Sequence, residues 1–230
     1  MIRLAKYIGH SGYCSRKQAS RHIDAGDVLV NGKPANHIDH VTEQDCITIL
    51  REKITVDTQR VYYAYHKPVG IDCKLNKDDP ASLSHHLPKA QRVYPIGRLD
   101  KDSKGLLILT NDGEFCNQMT HPDFSHEKEY LVRVQLKPSQ QVLDDNFAQK
   151  MTGGLVINNQ LTLPCQLSVL SADTFKIILT QGLNRQIRKM SHQLGYKVID
   201  LKRIRFEQFI LSDLPEGQIV QISKKQIIKL

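Results

Sequence analysis

The sequence predicts an α+β protein in which a small helical and hairpin module precedes a larger domain built on a mainly antiparallel mixed sheet. Three observations lead to this prediction. The first fifty residues combine helical spacing with a tight hairpin signal, and residues 51–60 are polar and weakly periodic. The rest of the chain alternates short β-rich runs with few helices. Of the 230 residues 40% are hydrophobic, enough to fill a sizeable core.

The first module starts with a helix that has clear signals at both ends. Ser15 and Gln18 have the spacing of a capping box, and Gly26 is a stop signal, so we predict a helix over about 16–25. Five cations crowd the helical segments and give them a basic face: Arg3, Lys6, Arg16, Lys17 and Arg21. Charge alone is equally compatible with a solvated helix face and with a surface that binds a polyanion.

A hairpin follows the helix. Asp27–Val30 reads as a strand that ends at Asn31-Gly32, the strongest short signal for a hairpin turn, and a further strand is expected around 46–50. The polar segment 51–60 suits a tether between domains. We therefore place the first domain at residues 1–55 and the second at residues 61–230.

In the second domain, β-rich runs predict strands separated by few helices. A mainly antiparallel sheet fits this order better than a doubly wound parallel one. The predicted strands cover 61–66, 92–96, 105–110, 130–136, 175–180 and 218–222.

Composition limits the functional classes. The formal charge of +8 and the pI of about 9.2 favour a polyanionic partner such as nucleic acid. The five cysteines are an odd number without a Cys-x-x-Cys pair, which argues against a zinc site and a disulfide framework. We see no run of about 20 apolar residues that would cross a bilayer. No membrane association is expected, and the cytoplasm is the expected location.

The segment Gly97–Gly113 carries the most informative motif. Asp100 follows Arg98 in Gly-Arg-Leu-Asp and precedes the apolar run Gly105–Thr110, so a carboxylate is anchored on rigid backbone near a positive charge. For an isolated tetrad, an ordinary turn aspartate paired with Arg98 is the simpler interpretation. Asp100 and Asp102 could also hold a divalent metal, but neighbouring lysines argue against it, and we predict no metal site.

The second candidate segment is a basic helix. Asn184 is a suitable N-cap and Gly195 a suitable stop, while Ile187, Met190 and Leu194 form a buried stripe. Arg185, Arg188 and His192 share another face. Taken alone, this pattern is also typical of a basic surface helix.

A third segment contains Tyr130 within Lys-Glu-Tyr-Leu-Val. Alternation places Tyr130, Val132 and Val134 on one face of a strand, so Tyr130 could simply be a core residue.

Together these motifs resemble the family of RsuA/RluF-type pseudouridine synthases. The order of Ser15–Ala19, Ile23, Gly26 and Asn31-Gly32 resembles the small RNA-binding domain named after ribosomal protein S4. The aspartate, tyrosine and Gln-Ile-Arg segments resemble the catalytic domain, closest to the RluF branch. Only residues 71–91 fit the family poorly.

The resemblance implies an isomerase that converts uridine to pseudouridine in ribosomal RNA without a cofactor. Asp100 would be the catalytic carboxylate, Tyr130 would stack on the uracil, and Arg188 would pair with Asp100 and keep it ionised. Arg98 or Arg185 would contact the RNA backbone. The five cations of the first domain would bind phosphates. Large-subunit ribosomal RNA is the expected partner, transfer RNA is a possible second substrate, and a monomer is expected.

Two other classes remain compatible with the sequence. One is a non-catalytic RNA-binding or ribosome-assembly protein with the same fold and basic surface. The other is a carboxylate glycosidase acting on nucleosides, which would need two acids about 5 to 9 Å apart. The cations around a single acid disfavour the glycosidase.

Overall fold

The structure is a computed structural model that describes residues 1–55 and 59–228. These residues form two compact units. The first comprises Met1–Val61, Leu87–Tyr94 and Thr110–Gly113, and the second comprises Tyr62–His86, Pro95–Leu109 and Glu114–Leu230.

Two helices and six short strands make up the first unit. In chain order they are β1 (Ile2–Arg3), α1 (Leu4–His10), α2 (Arg16–Asp24), β2 (Val28–Val30), β3 (Lys33–Pro34), β4 (His40–Val41), β5 (Ile47–Ile49) and β6 (Glu52–Ile54). Strands β3, β2, β5 and β6 form a four-stranded sheet in that order, and β1 pairs with β4. The apolar sides of α1, α2 and these strands share one core.

The predicted helix and hairpin of this unit are confirmed. Ser15 caps α2 by accepting a hydrogen bond from the backbone N–H of Gln18, whose side chain accepts one from the Ser15 N–H in return. Asn31 and Gly32 both have positive φ angles, as the tight turn between β2 and β3 requires.

The predicted tether over 51–60 is partly wrong. Glu52–Ile54 is strand β6, which pairs antiparallel with β5, and Ile54 is buried. Alternation over three residues is too short to stand out in a polar sequence, and only pairing with β5 makes this segment a strand. Residues 56–58 of the predicted tether lie outside the described residues.

The second unit is built around a nine-stranded sheet. Its elements are β7 (Tyr62–Lys67), β8 (Tyr94–Pro95), β9 (Lys104–Thr110), α3 (Gly113–Thr120), β10 (Lys128–Gln135), α4 (Phe147–Thr152), β11 (Val156–Ile157), β12 (Gln160–Leu161), β13 (Gln166–Val169), β14 (Thr174–Leu179), α5 (Gln186–Gln193), β15 (Lys197–Phe206), β16 (Phe209–Ile210), β17 (Ile219–Ile222) and α6 (Lys224–Ile227).

The sheet is mixed and mainly antiparallel, as predicted. Its strand order is β13, β14, β10, β15, β9, β7 and β17, with β8 beside β9 and β16 beside β15. Strand β10 is antiparallel to both β14 and β15, whereas β15 and β9 are parallel. One apolar cluster includes Phe147, Phe175 and Tyr196, and another includes Leu106, Phe115 and Phe206.

Each of the six predicted strands overlaps an observed strand, but the longest strand was missed. Strand β15 mixes basic and apolar residues without a regular alternation, and it lies between β10 and β9 near the middle of the sheet. Gly105 of β9 has a φ of +110°, and a Cβ there would overlap the backbone of Arg203 on β15. The close approach of these two strands therefore requires glycine.

No helix among the described residues is long and apolar enough to cross a membrane.

Candidate active site

A tight turn at the start of β9 presents two aspartates to a cleft. The backbone N–H of Ser103 donates to the carbonyl of Asp100 at 3.0 Å, and Asp102 lies within this turn. Leu99 is buried, and its N–H contacts the Cys73 sulfur at 3.4 Å. Burial of Leu99 and Ser103 therefore fixes the backbone from which Asp100 and Asp102 extend.

The segment after β7 supports this turn. Lys67 is fully buried, and its Nζ donates to the carbonyls of Pro68 and Ile71, each at 2.8 Å. These bonds shape the loop so that the Gly70 N–H donates to the carbonyl of Lys101 at 2.7 Å. Burial lowers the pKa of Lys67.

Helix α5 supplies the cations. It begins one residue later than predicted, because its N-cap is Arg185 in the left-handed conformation (φ 54°, ψ 36°) rather than Asn184. Ile187 and Met190 are buried, which orients the helix against the sheet. A non-glycine residue at positive φ is uncommon, because its Cβ crowds the backbone in that conformation.

The aspartates and arginines meet in a different pairing from the expected one. Arg185 forms a bidentate ion pair with Asp102, with N to O distances of 2.9 and 2.8 Å, and its Nη1 lies 3.9 Å from Asp100 Oδ2. Among the described residues, Arg185 is the one cation whose nitrogen lies within 4.0 Å of an Asp100 carboxylate oxygen. The expected partners Arg188 and Arg98 therefore do not pair directly with Asp100, and Arg98 is exposed.

Arg188 instead holds the turn. Its Nη2 donates to the Asp102 carbonyl at 2.7 Å and to Ser103 Oγ at 3.2 Å, and its Nε lies 3.4 Å from Asp102 Oδ2. Its Nη1 donates to the Val198 carbonyl at 3.2 Å. Sequence spacing could not reveal this arrangement, because the turn at 100–103 and the first turn of α5 decide which carboxylate each guanidinium reaches.

These contacts shift the pKa values of the cluster. The hydrogen bond from Arg185 lowers the pKa of Asp102, and the same bond raises the pKa of Arg185. Asp102 is therefore held ionised over a wide pH range.

Tyr130 lies on β10, half-buried at the edge of the core that contains Val132 and Val134. Its strand neighbours are Ile177 and Arg203, and the register with β15 shifts beside it. The ring thus packs partly against the core and partly lines the cleft.

Sequence reasoning missed two cations beside Tyr130. Lys128 donates from Nζ to the carbonyl of Thr180 at 2.9 Å, and burial lowers its pKa to about 8. Arg203 is buried, and its Nε donates to the carbonyl of Leu106 at 2.7 Å. The spacing Lys-x-Tyr signalled that Lys128 and Tyr130 share a face, but no sequence feature signalled that Lys128 is desolvated.

One cleft of about 1040 Å³ brings the candidates of the second unit together. Its lining includes the three predicted catalytic residues Asp100, Tyr130 and Arg188, the predicted RNA contacts Arg98 and Arg185, and Asp102, Lys128 and Arg203. Such a cleft can hold an extruded base beside a carboxylate and several cations.

The five cations predicted to bind RNA phosphates lie in the first unit. Arg3 precedes α1, Lys6 lies in α1, and Arg16, Lys17 and Arg21 lie in α2. Arg3, Arg16, Lys17 and Arg21 are exposed, and Lys6 is half-buried.

The cleft does not have the character of a metal site. Asp100 and Asp102 face guanidinium groups, and no group of three or more metal-ligating side chains occurs in the described parts of the chain.

Comparisons with known proteins give the family to which this fold and this cleft belong. Residues 61–193 match the family model described as RNA pseudouridylate synthase, and residues 2–45 match the S4 domain. The chain therefore belongs to the RNA pseudouridylate synthase family, with an S4 domain at its amino-terminal end. It is an RNA pseudouridine synthase, which is an isomerase.

Individual relatives agree over the full length. The chain is 38% identical over 231 residues to the dual-specificity RNA pseudouridine synthase RluF of Escherichia coli (strain K12), covering 100% of this chain and 78% of that protein. It is 34% identical to the ribosomal large subunit pseudouridine synthase B of Bacillus subtilis (strain 168), covering 100% and 96%. A crystal structure of a pseudouridylate synthase superposes with a TM-score of 0.70 at 27% identity, covering 99% and 98%.

Proposed function

We propose that the protein isomerises a specific uridine of large-subunit ribosomal RNA to pseudouridine, with Asp100 as the catalytic carboxylate. The observation that carries this proposal is the position of Asp100 in the cleft, 3.9 Å from Arg185 and in the same lining as Tyr130. The cleft thus places a carboxylate beside a positive charge and an aromatic ring, which is the set of groups that either role of Asp100 in the reaction would use.

The reaction exchanges one glycosidic bond for another at the same oxidation level. The bond between C1′ and N1 of uracil breaks, the base turns within the cleft, and C5 forms the new bond to C1′ while the C5 proton is lost and N1 gains one. Asp100 assists departure of the base, either as a nucleophile at C1′ or by taking a proton from the sugar. The target uridine must leave its stack to reach Asp100.

We assign the remaining roles from the contacts around the cleft. Tyr130 stacks on the extruded uracil, because its ring is fixed by the core on one side and open to the cleft on the other. Arg188 acts as a positioning residue through its bonds to the turn at 100–103. Arg98 and Arg185 contact the RNA backbone from the cleft lining.

In this proposal residues 61–230 form the catalytic domain, and residues 1–55 form a second domain that also binds the RNA. The exposed cations of α2 and its surroundings supply the phosphate contacts. The name of the Bacillus subtilis relative, ribosomal large subunit pseudouridine synthase B, favours ribosomal RNA. A transfer RNA transcript tests the possible second substrate. We also propose that the protein acts as a monomer, which sedimentation would test.

Release of tritium from C5 of labelled uridine in ribosomal RNA tests the proposal. The wild-type protein should release tritium, and Asp100→Asn should abolish release, because the amide is neither a nucleophile nor a base. Asp145→Asn is a matched control, since Asp145 is exposed and outside the cleft lining, and it should behave like wild type.

Three other outcomes would contradict this proposal. Equal release by Asp100→Asn and wild type would remove Asp100 from the reaction. Free uracil in place of retained pseudouridine would indicate glycosidase activity. Binding of the RNA without any release by wild type would indicate a non-catalytic RNA-binding protein.

A further inference from the structure

We propose that Phe124 is a second stacking surface for the RNA, which receives an unpaired base next to the target uridine. This inference rests on the proposed function, because it adds a contact for the RNA that carries that uridine. Tyr130 is assigned to the uracil itself, and the sequence pattern gives Phe124 no role. The structure points to one through the exposure and the support of its ring.

Phe124 is an aromatic side chain that remains exposed beside the cleft. It is 54% exposed, although burial of a phenyl ring is strongly favourable. Pro122 and Ser125, on either side of it, line the cleft, and so does His126. Phe124 itself is not among the described residues that line the cleft, so its ring lies at the rim.

Local contacts hold the Phe124 ring in place. Phe124 ends the short 3₁₀ helix Pro122–Phe124, and its N–H donates to the carbonyl of His121 at 3.3 Å. The rings of Phe124 and His126 stack, with centroids 6.0 Å and planes 21° apart, and the His121 ring meets Phe124 edge-on at 6.1 Å. The ring is therefore supported by the protein while about half of its surface stays open to a ligand.

His126 gives this stack a rigid base. It is buried, its Nδ1 lies 3.0 Å from a carboxylate oxygen of Glu207, and its Nε2 lies 3.2 Å from the carbonyl oxygen of Gln118. These contacts tie the His126 ring to the residue after β15 and to α3. Because the aromatic surface is preorganised, a base that stacks on Phe124 orders little additional side chain.

The surroundings favour a nucleobase as the occupant. The cleft beside Phe124 is lined by cations that attract a polyanion, among them Lys128, Arg185 and Arg203. When the target uridine leaves its stack, a neighbouring base loses a stacking partner, and an aromatic ring can cover the face of any base. Exposed Asp123 would repel a phosphate, so we expect a base rather than the backbone at this turn.

A fluorescence experiment tests the stack directly, because the chain contains no tryptophan. Phe124→Trp places a single indole at the rim of the cleft in the full-length protein. An unmodified transcript of large-subunit ribosomal RNA should quench its emission, since an unpaired base would stack on the indole. Val220→Trp, at an exposed site on β17 outside the cleft lining, is the matched control and should keep its emission.

A fully paired RNA duplex separates stacking from binding through phosphates. It should bind the basic surface, as filter binding measures, but leave the emission of Phe124→Trp unchanged, because its bases are already stacked.

Activity measurements distinguish stacking from local packing. Phe124→Leu keeps an apolar cover over His126 but removes the aromatic face. It should lower the single-turnover rate at saturating ribosomal RNA by about fivefold to twentyfold, which corresponds to the loss of one stacked base. The affinity for RNA should change less, because phosphate contacts dominate it. Phe124→Tyr and Phe124→Trp keep a ring and should retain most of the wild-type rate.

The outcomes separate this inference from the proposed function. Absence of tritium release by wild type would overturn the proposed function, while the titration of Phe124→Trp would still show whether a base stacks there. Three results overturn the stack: unchanged emission while the ribosomal RNA binds, equal quenching by the duplex, or a rate of Phe124→Leu equal to wild type. Quenching that grows with protein concentration without RNA would assign this surface to a second copy of the chain and overturn it as well.

Discussion

Lys128 offers a test of the electrostatics of the cleft through stability rather than activity. Burial lowers the pKa of Lys128 from 10.5 to about 8, with Arg203 acting in the same direction and Glu207 in the opposite one. The protein thus carries an amine whose charged form is disfavoured by folding. Lys128→Met removes that amine while keeping a side chain of similar length.

The magnitude follows from the pKa difference. A lowering from 10.5 to about 8 corresponds to about 3 kcal/mol against the charged amine in the folded state. Because the side chain is only partly buried, solvent screening reduces the expected effect to about 1 to 2 kcal/mol.

The sign of the pH dependence is fixed by linkage. Between pH 8 and 10.5 the unfolded chain binds the Lys128 proton and the folded protein does not, so this group makes stability rise with pH. The cost is fully present below pH 8 and disappears above pH 10.5. We therefore compare the free energy of unfolding of Lys128→Met with that of wild type. The difference in favour of the variant should be about 1 to 2 kcal/mol larger at pH 7 than at pH 10.

Urea unfolding followed by far-UV circular dichroism at pH 7, 8.5 and 10 measures this difference. Loss of the hydrogen bond to Thr180 changes the free energy of unfolding of the variant equally at all three pH values. Only a pH-dependent difference between variant and wild type therefore measures the effect of the buried amine. Lys197→Met, at an exposed position at the start of β15, should show no such change. A constant difference between Lys128→Met and wild type from pH 7 to 10 would refute the reasoning.

Three further predictions concern packing, RNA binding and thiol reactivity. Gly105→Ala should lower the melting temperature sharply, because its Cβ overlaps the Arg203 backbone; an unchanged melting temperature would contradict the close approach of β9 and β15. A variant with Gln at three cationic positions should show a slope of log binding constant for RNA against log salt that is smaller by about 2. The three positions are Arg3, Lys17 and Arg21, and an unchanged slope would show that they do not contact the RNA. Iodoacetamide should label exposed Cys46 before Cys73, whose burial raises its pKa, and the reverse order would contradict this placement.

Controls for these three experiments use the same chain. Gly217 also has a positive φ but nothing lies near its Cβ position, so Gly217→Ala separates backbone strain from the overlap at Gly105. Lys150→Gln, at an exposed site on α4, controls for net charge in the salt titration. Labelling in denaturant should make all thiols react alike, since it removes the effect of burial.

Local physics determined much of the fold from the sequence. The capping box at Ser15 and the Asn31-Gly32 turn depend on backbone geometry within a few residues, so their outcome did not need the rest of the molecule. The apolar run before Thr110 likewise predicted a buried strand. The motif around Asp100 placed a carboxylate beside this strand, and the structure places Asp100 in the cleft lining.

Strand β15 and the ion pairs of the cleft were decided by tertiary structure. Strand β15 lies between β10 and β9, and its basic residues gave no signal of a central strand because their partners are far away in sequence. The sequence placed Arg185 and Arg188 on one helix, but the left-handed N-cap and the turn at 100–103 assigned both to Asp102. Helical spacing determines which side chains share a face, whereas ion-pair partners depend on distances of a few ångströms between separate elements, which only packing sets.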